Sequence, residues 1–354
     1  MPILSVLDQS PVREGGTPAQ ALDETVRLAQ ACERFGYHRY WLAEHHNAEG
    51  LAGTAPEILI ARVAAATHTM RIGSGGVMLP HYSALKVAEN FRMLETLFPG
   101  RIDLGLGRAP GSDQLTALAL QQWSGVPNQQ TSAAQYFPNQ IRDIMGWLSG
   151  QLPATHPFAQ IKAQPTGDTV PELWLLGSSD HSAAVAAHFG CAFSFAHFIT
   201  DQGGVEVMRA YKDAFKPSTV PGIGLARPRG SIGVFVLCAE TEAAAKRLAA
   251  SRDLWRLRLD LGRISAVPPV AEAEAALAKL SPMELRRVEF NRRRQIIGTP
   301  NQVKEKLLAL GADYGVDEFV VVSICFDFAA RVRSYELLAE AFGLGTSAPA
   351  QAAQ

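Results

Sequence analysis

Three short stretches carry the residue types that chemistry needs. Glu44-His45-His46 sets an acid beside two histidines. GRIDLGLGRAPGSD (100–113) holds Arg108 among Gly105, Gly107 and Gly111. LLGSSDHSAAVAAHFG (175–190) passes from an apolar run through Gly177, Ser178 and Ser179 into a helical pattern. A histidine titrates near neutral pH, so one of the pair suits acid–base work. Adjacent residues after a strand point in different directions, so both are not expected on one metal, and no metal-binding set accompanies them. The plainer alternative is a structural hydrogen bond to Glu44. Arg108 offers two parallel donors that suit a phosphate, or it pairs with a nearby carboxylate. A helix beginning at Ser178-Ser179-Asp180 presents free N–H groups and a positive dipole end to an anion, or is an ordinary capped start.

The glycine loop at 100–113 is not a dinucleotide fingerprint. Such a loop needs G-x-G-x-x-G and an acid about 20 residues on. The third glycine position is Pro110, and 114–142 contains no Asp or Glu. A second glycine pair, Gly75-Gly76 in RIGSGGV, allows close backbone approach to a flat ligand, or simply a tight turn.

The elements that must position these residues alternate. Apolar runs at 3–7, 39–42, 71–77, 102–105, 173–176, 191–195, 231–238 and 319–323 read as eight strands. Helical patterns are expected at 18–35, 55–67, 83–97, 138–148, 182–189, 205–215, 242–251, 301–310 and 329–342. Thr17 and Pro18 mark the first helix start and Gly36 its end. Strands this apolar fit a parallel sheet buried on both faces. Eight such units predict a closed (β/α)8 barrel, one domain over 1–343, with chemistry at the C-terminal strand ends. The charged segment 252–297 interrupts the rhythm between the seventh and eighth strands, as an insertion and candidate lid. Its arginine run, 286–287 and 292–294 with Glu284 and Glu289, reads as a solvated helix face. Residues 344–354 read as a disordered tail.

The chain has 354 residues, 47% of them hydrophobic, and a formal net charge of −1, which supplies a large core and excludes the basic footprint of a nucleic-acid binder. No apolar run reaches the roughly 20 residues of a membrane span, and the first residues lack a signal-peptide pattern. The four cysteines form no close pair and read as buried thiols of a reducing compartment. A cytoplasmic protein without membrane or nucleic-acid partners is expected.

The series WLAEHHN (41–47), RIGSGGVMLPHYSALKVAENFRMLETLFPGRIDLGLGR (71–108), WLLGSSDHSA (174–183) and GTPNQVKEKL (298–307) resembles the bacterial luciferase-like flavin-dependent monooxygenases, in the subgroup whose substrates are mostly unassigned. The resemblance runs from about Ile3 to Phe342. It implies FMN at the barrel mouth, with the catalytic histidine at His45. A non-prolyl cis peptide is implied at Gly75–Gly76, against the flavin ring. The phosphate ligands implied are Arg108, Gly177, Ser178 and Ser179. It further implies reduced FMN from a separate reductase, O2 addition to a C4a-hydroperoxyflavin, a small organic substrate (with Met78, His81 and Tyr82 as candidate pocket residues) and a homodimer. F420- or NAD(P)H-dependent oxidoreduction and a non-catalytic flavin-binding protein are the alternatives. Gly107 stands where luciferases carry a cysteine, and 252–297 does not match their mobile loop. Both departures argue against light emission from a long-chain aldehyde.

Overall fold

The computed structural model describes residues 2–109, 113–121, 132–220 and 222–345. The strands are β1 (Ile3–Asp8), β2 (Arg39–Leu42), β3 (Arg71–Ser74), β4 (Val77–Met78), β5 (Ile102–Gly107), β6 (Glu172–Gly177), β7 (Ala192–Ala196), β8 (Gly230–Cys238), β9 (Gln295–Gly298) and β10 (Glu318–Val322). All pairings are parallel, in the order β1-β2-β3-β5-β6-β7-β8, and β10 joins β8 to β1. The result is a closed eight-stranded (β/α)8 barrel. β4 continues the line of β3 beside the end of β5, Val77 facing Leu106.

The helices are α1 (Pro18–Arg34), α2 (Pro56–Ala64), α3 (Ala84–Leu97), α4 (Gln114–Gln121), α5 (Ser132–Ser149), α6 (Asp180–Phe189), α7 (Gly204–Asp213), α8 (Glu242–Asp260), α9 (Val270–Leu277), α10 (Pro282–Arg292), α11 (Pro300–Tyr314) and α12 (Phe328–Phe342). Their starts follow local rules. Thr17, Ser281 and Thr299 each close a capping box, and each is followed by proline at the first turn. None of the helices in the described residues is long and apolar enough to cross a membrane.

The expected insertion between the seventh and eighth barrel strands is present, with two differences. α8 runs to Asp260, so 252–260 extends an existing helix. The end of the segment is β9, which pairs with Phe235–Cys238, the part of β8 that outruns β7. Four residues with little alternation gave no strand signal; the long β8 edge supplies their partner. The solvated reading of the arginine run holds for Arg286, Arg287, Arg292 and Arg293, which are exposed, and fails for Arg294, which lies beyond α10 and is buried. In the tail, Leu344 packs partly on the core, while 346–354 lies outside the described residues.

Charged residues close the N-terminal end of the barrel. Arg39, 1% exposed, donates to Asp103 (2.6 Å), Glu318 (2.7 Å) and Glu172 (3.0 Å). Trp41 Nε1 donates to Asp103 at 2.9 Å, and Ser5 to Glu318 at 2.8 Å. A buried charge set of this kind is tolerable only when each group is paired.

Candidate active site

At the other end, the strand termini enclose a cavity of about 560 Å³. His45, Gly75, Gly76, Arg108, Gly177, Ser178 and Ser179 all line it. They follow β2, β3, β5 and β6, so four βα loops contribute.

Glu44 decides which histidine reaches the cavity. It is fully buried and accepts from His46 Nε2 (2.8 Å), Tyr82 Oη (2.7 Å) and the Met78 amide (3.0 Å). His46 is thereby turned into the wall. His45, its backbone held by Gly53 O at 2.8 Å, turns toward the cavity. Its Nδ1 is buried without a hydrogen-bond partner among the described residues. Burial first, and then the charge of His46, push the His45 pKa down to about 4. The ring is therefore neutral at physiological pH. Met78 and His81 line the cavity as expected. Tyr82 does not: its hydroxyl is committed to Glu44.

Gly75 and Gly76 are joined by a cis peptide bond. Neither position has room for a side chain. A Cβ at Gly75 would lie 2.5 Å from Leu7 Cδ1, and one at Gly76 2.6 Å from the Gly105 carbonyl. The backbone itself therefore forms this part of the wall.

Arg108 has no ion pair or hydrogen bond among the described residues, although the chain is rich in carboxylates. Ser179 is the N-cap of α6, yet its hydroxyl makes no capping bond. The ordinary-cap alternative thus fails for Ser179, and its hydroxyl stays available beside Ser178. Two further residues escaped the sequence reading although they lie in the same stretch. Ser182 lines the cavity, where a Cβ on Gly177 would meet its Oγ at 2.6 Å. His181 Nε2 is buried without a partner among the described residues, and burial, then the Arg108 charge, lower its pKa. Asp113 accepts from the Thr116 amide at 3.0 Å and from Asn47 at 2.9 Å, tying the start of α4 to the β2 loop.

The rest of the lining is mostly apolar, including Leu7, Trp41, Leu176, Phe198 and Ile199. A pocket that combines Arg108, Ser178 and Ser179 with a mostly apolar lining suits a phosphorylated planar ligand. Among the described residues, no group of three or more His, Cys, Asp or Glu could hold a metal.

The luciferase-like monooxygenase family matches residues 3–318. The N-acetyl-S-alkylcysteine monooxygenase of Bacillus subtilis (strain 168) is 38% identical over 338 residues, 96% of this chain and 97% of that protein. The crystal structure of apo-MsnO8 superposes with a TM-score of 0.87 at 40% identity, covering 97% of this chain and 99% of the other. The oxygenating constituent of 3,6-diketocamphane monooxygenase from Pseudomonas putida, solved in complex with FMN, shares the fold at a TM-score of 0.69 and 20% identity, over 96% and 97% of the two chains. With its fold, its strand-end site and this agreement along almost its whole length, the chain belongs to the luciferase-like monooxygenase family.

Proposed function

We propose that the protein is a flavin-dependent monooxygenase that binds FMN in this cavity and oxidises a small organic substrate with O2. One observation carries the reading: Arg108, without a partner among the described residues, and Ser179, whose hydroxyl makes no capping bond, line one cavity whose wall at Gly75–Gly76 is bare backbone. The residues fit the group. Arg108 and the Ser178 and Ser179 hydroxyls and amides would hold the phosphate, helped by the N-terminus of α6. Gly75 and Gly76 would let the ring lie against the chain. Bound reduced flavin supplies the electrons and activates O2.

The protein's own contribution is binding, shielding and proton handling. Trp41, Leu176 and Phe198 exclude water from the ring's surroundings. Neutral His45 holds or accepts a proton at the cavity wall, with Nδ1 free of any protein acceptor among the described residues. Reduced FMN is supplied by a separate reductase, and the protein acts as a homodimer. The S-alkyl cysteine substrate class in the relative's name is the first panel to test.

The test is an absorbance titration with FMN, oxidised and reduced, repeated with F420. Tight binding of reduced FMN and substrate-dependent O2 uptake support the reading. Preference for F420 would make it a hydride-transfer enzyme instead. Flavin binding with O2 uptake unchanged across substrates would make it a flavin-binding protein.

A further inference from the structure

A second anomaly lies above β8. Arg252 on α8 is 7% exposed, its Nη1 is buried without a hydrogen-bond partner among the described residues, and it forms no ion pair there. A buried guanidinium without a carboxylate is costly, and such a group is normally paired. The nearby acids are already engaged. Asp253 accepts from Arg292 (2.7 Å) and Gln295 (3.0 Å). Asp260 accepts from Arg256 (2.8 Å), Arg287 (3.0 Å) and Asn291 (2.8 Å). Arg256 and Arg294 add positive charge around Arg252, and the Nε of each is also buried without a partner among the described residues.

α8 reaches the loops beyond the C-terminal strand ends, where Arg258 donates to Glu14 at 2.9 Å, and Arg252 neighbours cavity residues without itself lining the cavity. Ala249, Arg252 and Trp255 share one face of α8, and Ala249 and Trp255 pack in the apolar cluster that includes Trp41, Phe235 and Val320. The Arg252 guanidinium lies 4.0 Å from the Phe235 ring centroid, which offsets part of its desolvation. Phe235 stands two residues beyond Gly233 on the same face of β8, and Gly233 lines the cavity under Phe198. Arg294 donates to the carbonyl of Ile199, another cavity residue. Arg108 and Ser179 follow β5 and β6, and β7 separates β6 from β8. These are two different sites.

We infer that Arg252 receives an anionic head group, a carboxylate, on the organic substrate, with Arg256 and Arg294 supplying the surrounding positive field. This extends the monooxygenase reading, in which the substrate enters at the C-terminal end of the barrel. A guanidinium recognises a carboxylate with two parallel donors, and the dry setting strengthens the pair. It selects acids over their neutral esters.

The test is calorimetric titration of the purified protein, with and without FMN, using acetate, hexanoate and phenylacetate against the two methyl esters of the larger acids. The acids are expected to bind at least about tenfold more tightly than the esters. Arg252→Gln should abolish that preference, and Arg252→Lys should restore only part of it. Arg252→Met should melt higher than wild type without ligand, because it removes an unpaired buried charge. Equal binding of acids and esters, no binding of any acid, or an acid preference unchanged in Arg252→Gln would overturn the assignment. A lower melting temperature for Arg252→Met with acid preference intact would make Arg252 a packing residue on Phe235. Acid preference in a protein that ignores FMN would remove the flavin reading and leave the anion site standing. FMN binding without acid preference would do the reverse.

Discussion

His46 Nε2 lies 2.8 Å from Glu44 Oε1, and that bond separates two adjacent histidines into different roles. His46 belongs to the wall with Tyr82 and Met78. His45 is left at the cavity with its Nδ1 unpartnered among the described residues. His45→Ala should therefore retain FMN binding and lose turnover. Stopped-flow binding beside O2 uptake separates the two; lost binding with normal chemistry would contradict the role given to His45.

The depressed pKa of His45 has a pH signature. Its folded value near 4 lies below the unfolded value of about 6.5. The unfolded chain then binds a proton that the folded chain does not. His45 contributes nothing adverse above pH 6.5, and stability is lost as pH falls from there toward 4, by about 3 kcal/mol at most. Urea unfolding at several pH values should show a flatter acid side in His45→Asn than in wild type. Turnover should likewise show no acid limb near pH 6.5 attributable to this residue.

In the proposed FMN site, Arg108 would be the charged ligand of the phosphate. Arg108→Ala should weaken FMN binding about 10- to 100-fold, the range for a lost charge-assisted hydrogen bond or two. Ser179→Ala should cost less, because the amides of α6 remain. Unchanged FMN affinity in Arg108→Ala would place the phosphate elsewhere.

Gly76→Ala should be worse tolerated than Gly75→Ala. A Cβ at Gly76 meets a backbone carbonyl, that of Gly105, at 2.6 Å, whereas at Gly75 the nearest atom, at 2.5 Å, is the end of the Leu7 side chain, which can rotate. Overpacking of this kind costs about 1–3 kcal/mol. Melting temperatures of the two variants, with and without FMN, check the order.

At the barrel floor, Arg39→Met should destabilise the protein by about 3–5 kcal/mol. It strands the buried Glu318 without its cation, while Asp103 loses Arg39 but keeps Arg71 at 2.6 Å. Arg39 does not itself line the cavity, although it stacks on Trp41, which does, so the FMN affinity of the folded protein should change much less than its stability. Denaturant unfolding gives the first quantity and flavin titration the second.

Most of the barrel was legible from local pattern. Eight apolar runs and the helices between them announce a parallel barrel, and polar residues just past those runs mark the site-bearing loops. Short or partnered elements were not legible. β9 has four residues and exists because β8 outruns β7. Arg294 read as solvated with the rest of its run because its burial depends on contacts with Ile199, 95 residues away. Arg39 and its acids gave no signal either, since their partners lie 64, 133 and 279 residues apart.

The succession of strands and helices, the capped helix starts and the candidate residues at the strand ends can be read along the chain, because each rests on neighbours a few positions away. Three facts came from the folded chain alone: Arg108 and Ser179 line one cavity, Glu44 takes His46 and leaves His45, and Arg252 is buried without a counter-ion among the described residues. Those facts depend on barrel closure, which brings together loops far apart in the chain and leaves some polar groups paired and others not.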